Sequence, residues 1–231
     1  MRGRLIVFEG AEGAGKTTQI GRLSIALSAL GVPHTAMREP GGTPLGDEIR
    51  RLLLDPAREM APRTEALLFL ASRAQLVADE LRPRLAAGEL LLLDRFVLST
   101  YAYQVAGRGL PEHEVRCANA LATASLVPDV TLVLGVPAAE RQVRAARRGA
   151  SDRMERAGAA FHDRVEHAFS AFLEPAWQAA HPECGPLVSV NGAGAEDEVF
   201  AQVAEVLARR WPETFARLRG SYPSASPIPR S

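Results

Sequence analysis

The sequence predicts an α/β fold in which a parallel sheet is flanked by helices. Three observations carry that expectation. Short apolar runs alternate along the chain with stretches of helical apolar spacing. A glycine-rich loop separates the first apolar run from the first helical stretch. A later run, Leu90-Leu91-Leu92-Leu93, closes on the carboxylate of Asp94. Alternation of this kind builds parallel sheets covered on both faces.

The elements follow in order. Leu5-Ile6-Val7-Phe8 is apolar and rich in β-branched character, so 4–9 reads as a buried strand. Ile20, Leu23, Leu27 and Leu30 recur at helical spacing up to Gly31, which predicts a helix over 16–30. Further strands are expected at 34–38, 90–94, 130–136 and 187–190. Further helices are expected at 45–54, 64–86, 111–126, 137–148, 158–180 and 195–210. No internal repeat is found. Residues 1–212 read as one domain, and the Ser- and Pro-rich stretch 213–231 as a disordered tail.

The loop after the first strand carries the chemistry. Gly10-Ala11-Glu12-Gly13-Ala14-Gly15-Lys16-Thr17 fits the phosphate-binding pattern G-x-x-x-x-G-K-[ST], with Thr18 next in the helix. Three glycines within six positions let the backbone turn its N–H groups around an anion. The helix N-terminus adds partial positive charge. Lys16 is the one lysine among 27 basic residues, and every other one is arginine. A flexible ammonium follows phosphate oxygens as a point charge, whereas a planar guanidinium needs a cradle of fixed shape. An ordinary glycine-rich strand–helix turn would not need the lysine. Asp94 is expected at the C-terminal edge of the sheet, where ligands bind. There it could hold Mg²⁺, directly or through water, with the Thr17 hydroxyl, or simply cap the next turn.

Composition narrows the class. The 231 residues are 47% hydrophobic with zero formal net charge. That excludes a disordered chain and argues against one built to coat nucleic acid or an acidic membrane. No apolar run approaches the length of a membrane span, and Met1-Arg2-Gly3-Arg4 precedes too short an apolar run for a signal peptide. Cys117 and Cys184 match no metal spacing. A cytoplasmic protein is expected. The segment 141–156 carries six arginines. For Arg141 and Arg144 a solvated helical face is the simpler reading.

Taken together, the loop 10–17, Arg38-Glu39-Pro40-Gly41-Gly42-Thr43, Asp94-Arg95-Phe96, Ser99-Thr100-Tyr101-Ala102-Tyr103-Gln104 and Gly107-Arg108-Gly109 resemble bacterial thymidylate kinases, in that order and at similar spacing. The likeness continues through Pro128–Leu132 and Asp152-Arg153-Met154-Glu155, and so covers roughly residues 3–210. It implies a P-loop fold of the nucleoside monophosphate kinase type with a helical lid at about 141–157, ATP and Mg²⁺, and transfer of the γ-phosphate to dTMP within a homodimer. The loop 10–18 would hold ATP. Phe69 would stack on the thymine ring, although alone it reads equally as a core residue, and Arg73 would donate to a ring carbonyl from the same helix face. Thr100 and Gln104 would read the base edge, Tyr103 would lie against the deoxyribose, and Arg95 would grip the monophosphate bidentately. Glu39 and Pro40 would lie near the acceptor, and Glu12 near its sugar or phosphate. Arg147, Arg148 or Arg153 would neutralise charge on the transferring group, because Ala11 and Ala14 give the loop no second cation.

Two positions depart from the family pattern. Gly135 stands where an acidic residue is usual, and Arg156-Ala157-Gly158-Ala159-Ala160 lacks the acidic residues that often follow the Asp-Arg-x-Glu segment. A kinase for another monophosphate or a nucleoside is the nearest alternative. From another class the alternative is a nucleotide-dependent switch or assembly protein, although the N-K-x-D motif usual in GTP switches cannot occur here, since the only lysine is Lys16.

Overall fold

The computed structural model describes residues 3–140, 144 and 152–218. Five strands form one all-parallel sheet: β1 (Arg4–Glu9), β2 (His34–Arg38), β3 (Leu90–Asp94), β4 (Val130–Gly135) and β5 (Leu187–Asn191). Their spatial order is β2-β3-β1-β4-β5. The strand period of two sends neighbouring side chains to opposite faces. Leu5 and Val7 join Leu91, Leu93, Tyr101 and Phe161 in one core, while Ile6 and Phe8 join Leu23, Leu27 and Val203 in the other.

Helices cover both faces. Among the described residues they include α1 (Lys16–Ala29), α2 (Pro44–Leu54), α3 (Pro62–Leu76), α4 (Arg82–Ala86), α5 (Val97–Thr100), α6 (Glu112–Thr123), α7 (Ala159–Ala171), α8 (Pro175–Ala180), α9 (Glu196–Arg210) and α10 (Pro212–Phe215). β1 runs into α1 on one face, and its neighbour β3 runs into α5 on the other. A crevice opens where adjacent strands diverge in this way, and ligands bind there in open α/β sheets.

Several boundaries differ from expectation, each for a local reason. The helix expected over 64–86 is α3 and α4 joined by a wide turn, Val77–Leu81, ahead of Pro83, whose missing N–H interrupts the ladder. The helix expected over 158–180 is two, because Pro175 begins a new one. α5 and the wide-turn helix Tyr101–Gly107 were not expected at all. Val97 to Gln104 are all buried, so no amphipathic period exists to read. The helix expected over 137–148 falls largely outside the described residues, as does the middle of the lid.

The start of the expected tail belongs to the fold. Residues 213–218 are docked: Phe215 and Leu218 are fully buried in the α1/α9 core. Arg4 donates to Thr214 Oγ1 at 2.8 Å and pairs with Glu213. The two apolar residues are three apart, a single turn, too short a pattern to register as a helix. Residues 219–231 lie outside the described residues.

Candidate active site

The phosphate loop takes its shape from its glycines. Gly10, Gly13 and Gly15 adopt positive φ. A Cβ on Gly10 would stand 2.5 Å from the Leu134 carbonyl oxygen. Gly15, left-handed, caps α1, so the helix N-terminus opens toward the loop. Ala14 N donates to Ala11 O at 3.2 Å. Lys16, at the first position of α1, is buried, and its Nζ donates to the carbonyls of Gly10 (3.0 Å) and Ala11 (3.1 Å). Burial and the neighbouring Arg95 pull its pKa down to about 8, against the pull of Asp94, Glu9 and Glu12. Thr17 Oγ1 donates to Asp94 Oδ2 at 2.6 Å. Thr18 follows in α1.

Arg95 connects the loop to the rest of the site. Its φ is +72° and its N–H donates to Phe8 O, so the chain turns sharply off β3. Its Nη1 donates to Gly10 O (3.3 Å) and Ser99 Oγ (3.1 Å), and the guanidinium lies 5.0 Å from the centre of the Tyr103 ring. Beneath it Glu9 is fully buried. One Glu9 oxygen accepts Phe96 N (2.8 Å) and Ser99 N (3.0 Å), and the other accepts Ser99 Oγ (2.6 Å). Glu9 therefore caps the start of α5 and fixes the segment that carries Thr100, Tyr103 and Gln104. Burial raises its pKa in spite of Arg95 and these donors.

Arg73 is buried with all five N–H groups engaged. Nε and Nη2 grip Glu39 (2.8 and 2.6 Å to Oε2), Nη1 donates to Thr100 Oγ1 (2.7 Å) and Asn119 Oδ1 (2.6 Å), and Nη2 also reaches Phe96 O (2.9 Å). Glu39 is buried, and that burial raises its pKa against the lowering effect of Arg73.

One cavity of about 670 Å³ brings these groups together. Glu12, Gly13, Lys16, Thr17, Asp94 and Arg95 line it, as do Glu39, Pro40, Phe69, Arg73, Thr100, Tyr103 and Gln104. Phe69 is half-buried and forms part of the cavity wall. Sequence reasoning missed Arg38, Arg50 and Ser99, which also line it. Arg50 Nη1 donates to Pro40 O at 2.9 Å, and burial together with Arg38 lowers its pKa. An arginine on the otherwise apolar face that carries Ile49 and Leu53 was the available signal.

The lid arginines divide. Arg147 and Arg148 lie outside the described residues. Arg153 does not line the cavity: its Nε donates to Leu53 O (2.7 Å) and its Nη1 to Glu65 Oε2 (2.6 Å). Arg144 is partly buried and bonded to backbone, not a freely solvated residue. It donates to Gly192 O at 3.0 Å and to Gly13 O of the loop at 3.5 Å. Gly135 is exposed, with nothing within 4 Å of where a Cβ would stand.

The sequence that builds this arrangement matches a known family over most of the chain. The thymidylate kinase family model matches residues 8–179. The chain belongs to the thymidylate kinase family. A thymidylate kinase of Deinococcus radiodurans is 44% identical over 209 residues, which are 90% of this chain and 98% of that protein. One of Pseudomonas savastanoi pv. phaseolicola is also 44% identical, over 89% of this chain and 99% of its own. One of Rhizorhabdus wittichii is 41% identical over 90% and 98%. As in other thymidylate kinases, the fold is a P-loop parallel sheet flanked by helices, and the chain is a phosphotransferase. For a divalent metal the fitting donors are the Thr17 hydroxyl and the Asp94 carboxylate, hard oxygens side by side at the cavity wall. Among the described residues no helix is long and apolar enough to cross a membrane.

Proposed function

We infer that this thymidylate kinase family member transfers the γ-phosphate of ATP to dTMP, giving dTDP and ADP, in the cytoplasmic synthesis of dTTP. The observation that carries the reading is the single cavity. The donor loop and a wall suited to a pyrimidine share it, and Arg95 touches both the loop and Tyr103. The loop 10–18 holds the ATP phosphates. Phe69 stacks on the base, Arg73, Thr100 and Gln104 read its edge, and Tyr103 packs on the sugar. Arg95 holds the acceptor phosphate, with Glu12, Glu39 and Pro40 around it. Every Arg73 N–H already has a protein acceptor, so a ring carbonyl would share or displace one, with Thr100 Oγ1, the neutral acceptor whose residue lines the cavity, the candidate.

The acceptor oxygen needs no dedicated base, because a phosphate monoester's second pKa is about 6. The protein's task is positioning and charge neutralisation. Lys16 and Arg95 supply fixed cations, and Arg147 or Arg148 a lid cation. Mg²⁺ would be held by Thr17 and Asp94, and supplies charge neutralisation at the donor phosphates when bound. No nucleic acid or membrane takes part. We also infer a homodimer through α3 and α6, which pack together and expose Leu67 and Leu121 at 63% and 85%.

The test is a turnover panel over dTMP, dUMP, dGMP and thymidine with ATP. Consumption of ATP chiefly with dTMP is expected. Preference for another acceptor, or consumption independent of any acceptor, would overturn the reading.

A further inference from the structure

Glu65 is fully buried in the first turn of α3, and four donors converge on its carboxylate. Oε1 accepts Gln104 Nε2 (3.1 Å) and Arg108 Nε (3.0 Å). Oε2 accepts Arg108 Nη2 (2.9 Å) and Arg153 Nη1 (2.6 Å). Arg108 is itself pinned, 4.4 Å from the centre of the Phe161 ring. Two cations keep this carboxyl ionised: burial works to raise its pKa, but the hydrogen bonds from Arg108 and Arg153 prevail and lower it.

An ionised carboxylate only accepts hydrogen bonds. The Gln104 group facing Glu65 is therefore its NH₂, and its carbonyl oxygen faces the other way. Gln104 lines the cavity, and among the described residues no donor meets that oxygen. We propose that Glu65 is a positioning residue for base selection: by holding the Gln104 NH₂ it presents the Gln104 carbonyl oxygen to the acceptor, and so selects a pyrimidine with a hydrogen on N3, thymine or uracil, against cytosine. The proposal rests on the reading of dTMP as acceptor. Cytosine offers a bare N3, an acceptor facing an acceptor, and a site built around one hydrogen bond rejects the analogue that lacks it.

The substitution Glu65→Gln separates this role from a structural one. At position 65 the amide oxygen should stay where two cationic donors, Arg108 Nη2 and Arg153 Nη1, converge; its NH₂ then takes the place of Oε1, where Arg108 Nε gives up its bond, and faces Gln104. Gln104 then rotates to accept, and its own NH₂ faces the cavity, matching cytosine. The readout is kcat/KM for dTMP relative to 5-methyl-dCMP, which carries the same methyl group. The ratio should fall at least about tenfold in Glu65→Gln. Adding Gln104→Glu to Glu65→Gln should restore it, because a carboxylate at 104 can accept from the new NH₂ and still present an oxygen. A folded Glu65→Gln enzyme with an unchanged ratio, whatever its absolute rate, overturns the proposal. Wild type that fails to use dTMP overturns the underlying reading instead. A measurement without variants stands beside these. In wild type bound to dTMP, the Gln104 NH₂ protons should show NOEs to Glu65 side-chain protons. NOEs from those NH₂ protons to the thymine N3–H in their place would also overturn it.

Discussion

Lys16 folds its ammonium back onto its own loop, with Nζ 3.0 Å from the carbonyl oxygen of Gly10. Burial strips the ammonium of water and the neighbouring Arg95 repels it, and these leave the lysine with a pKa of about 8. Donor phosphates would raise that pKa by supplying negative charge. The complex then binds more protons than the free protein between about pH 8 and the ordinary lysine value near 10.4, so nucleotide affinity should fall as pH rises through that window. Calorimetry of ADP binding near pH 8, in buffers of different ionisation heat, should report uptake of a fraction of a proton. Equal uptake by Lys16→Met would assign the proton elsewhere. The same variant should lose transfer yet be at least as stable as wild type near neutral pH, because it removes a buried charge. Lys16→Arg should be severely impaired, since the wrapped loop leaves no room for a planar fork.

The lid arginines should separate by function. Arg147→Ala or Arg148→Ala should lower kcat by at least about a hundredfold with little change in the KM for dTMP. Arg153→Ala should act mainly on stability, at about 1–3 kcal/mol, because it removes one of the two cations on the buried Glu65 carboxylate. Normal turnover in both Arg147 and Arg148 variants would send the search to Arg38 and Arg50, which line the cavity.

The C-terminal segment gives a stability test. Phe215 is fully buried in the core that α1 and α9 share. Phe215→Ala should cost about 3–5 kcal/mol. At roughly 2–4 °C per kcal/mol for a chain of this size, the melting temperature should fall by about 6–20 °C. A shift of a degree or less would mean that 213–218 contributes little to the fold.

The sequence was most legible where one physical signal dominated. All five strands lie within a residue or so of the predicted bounds, because buried parallel strands are unbroken apolar runs bounded by polar or glycine residues. The loop residues were readable because the phosphate cradle constrains glycine, lysine and hydroxyl positions together. The acceptor wall was not readable by period. Val97 to Gln104 is buried on every side, so Thr100, Tyr103 and Gln104 could be placed only through the family resemblance. Glu9 and Glu65 were missed for a related reason. Each is a carboxylate whose partners lie many residues away, at Ser99 for one and at Arg108 and Arg153 for the other.

Gly135 offers a contrasting test at the edge of β4. Its φ is not in the left-handed region, and a Cβ there would meet nothing within 4 Å. Gly135→Ala should therefore stabilise the protein by about 0.4–1 kcal/mol, through the lowered entropy of the unfolded chain. A destabilised Gly135→Ala would mean that the bond from Gly192 N to Gly135 O at 2.7 Å needs backbone freedom that alanine lacks.

Tyr103 should set the preference for a deoxyribose acceptor. Its ring is packed by Phe161 at 6.1 Å, Phe169 at 6.4 Å and Arg95 at 5.0 Å, yet it still lines the cavity. Its buried hydroxyl has the Arg95 guanidinium beside it but makes no hydrogen bond of ordinary geometry among the described residues. Burying such a group costs about 1–3 kcal/mol, so Tyr103→Phe should be as stable as wild type or more so. With the ring against the 2′ carbon of the acceptor, a ribonucleotide would place its 2′ hydroxyl where it clashes or loses water without gaining a partner. That penalty is about 1–3 kcal/mol, or roughly five- to a hundredfold in kcat/KM. Tyr103→Phe keeps the ring and should keep the discrimination between dTMP and its ribose counterpart. Tyr103→Ala opens the wall and should narrow it, mainly by weakening dTMP use and partly by admitting the ribonucleotide. The aromatic packing makes Tyr103→Ala less stable as well, so thermal unfolding has to accompany the kinetics. A folded Tyr103→Ala enzyme with the wild-type discrimination ratio would remove Tyr103 from the sugar site and leave it a core residue.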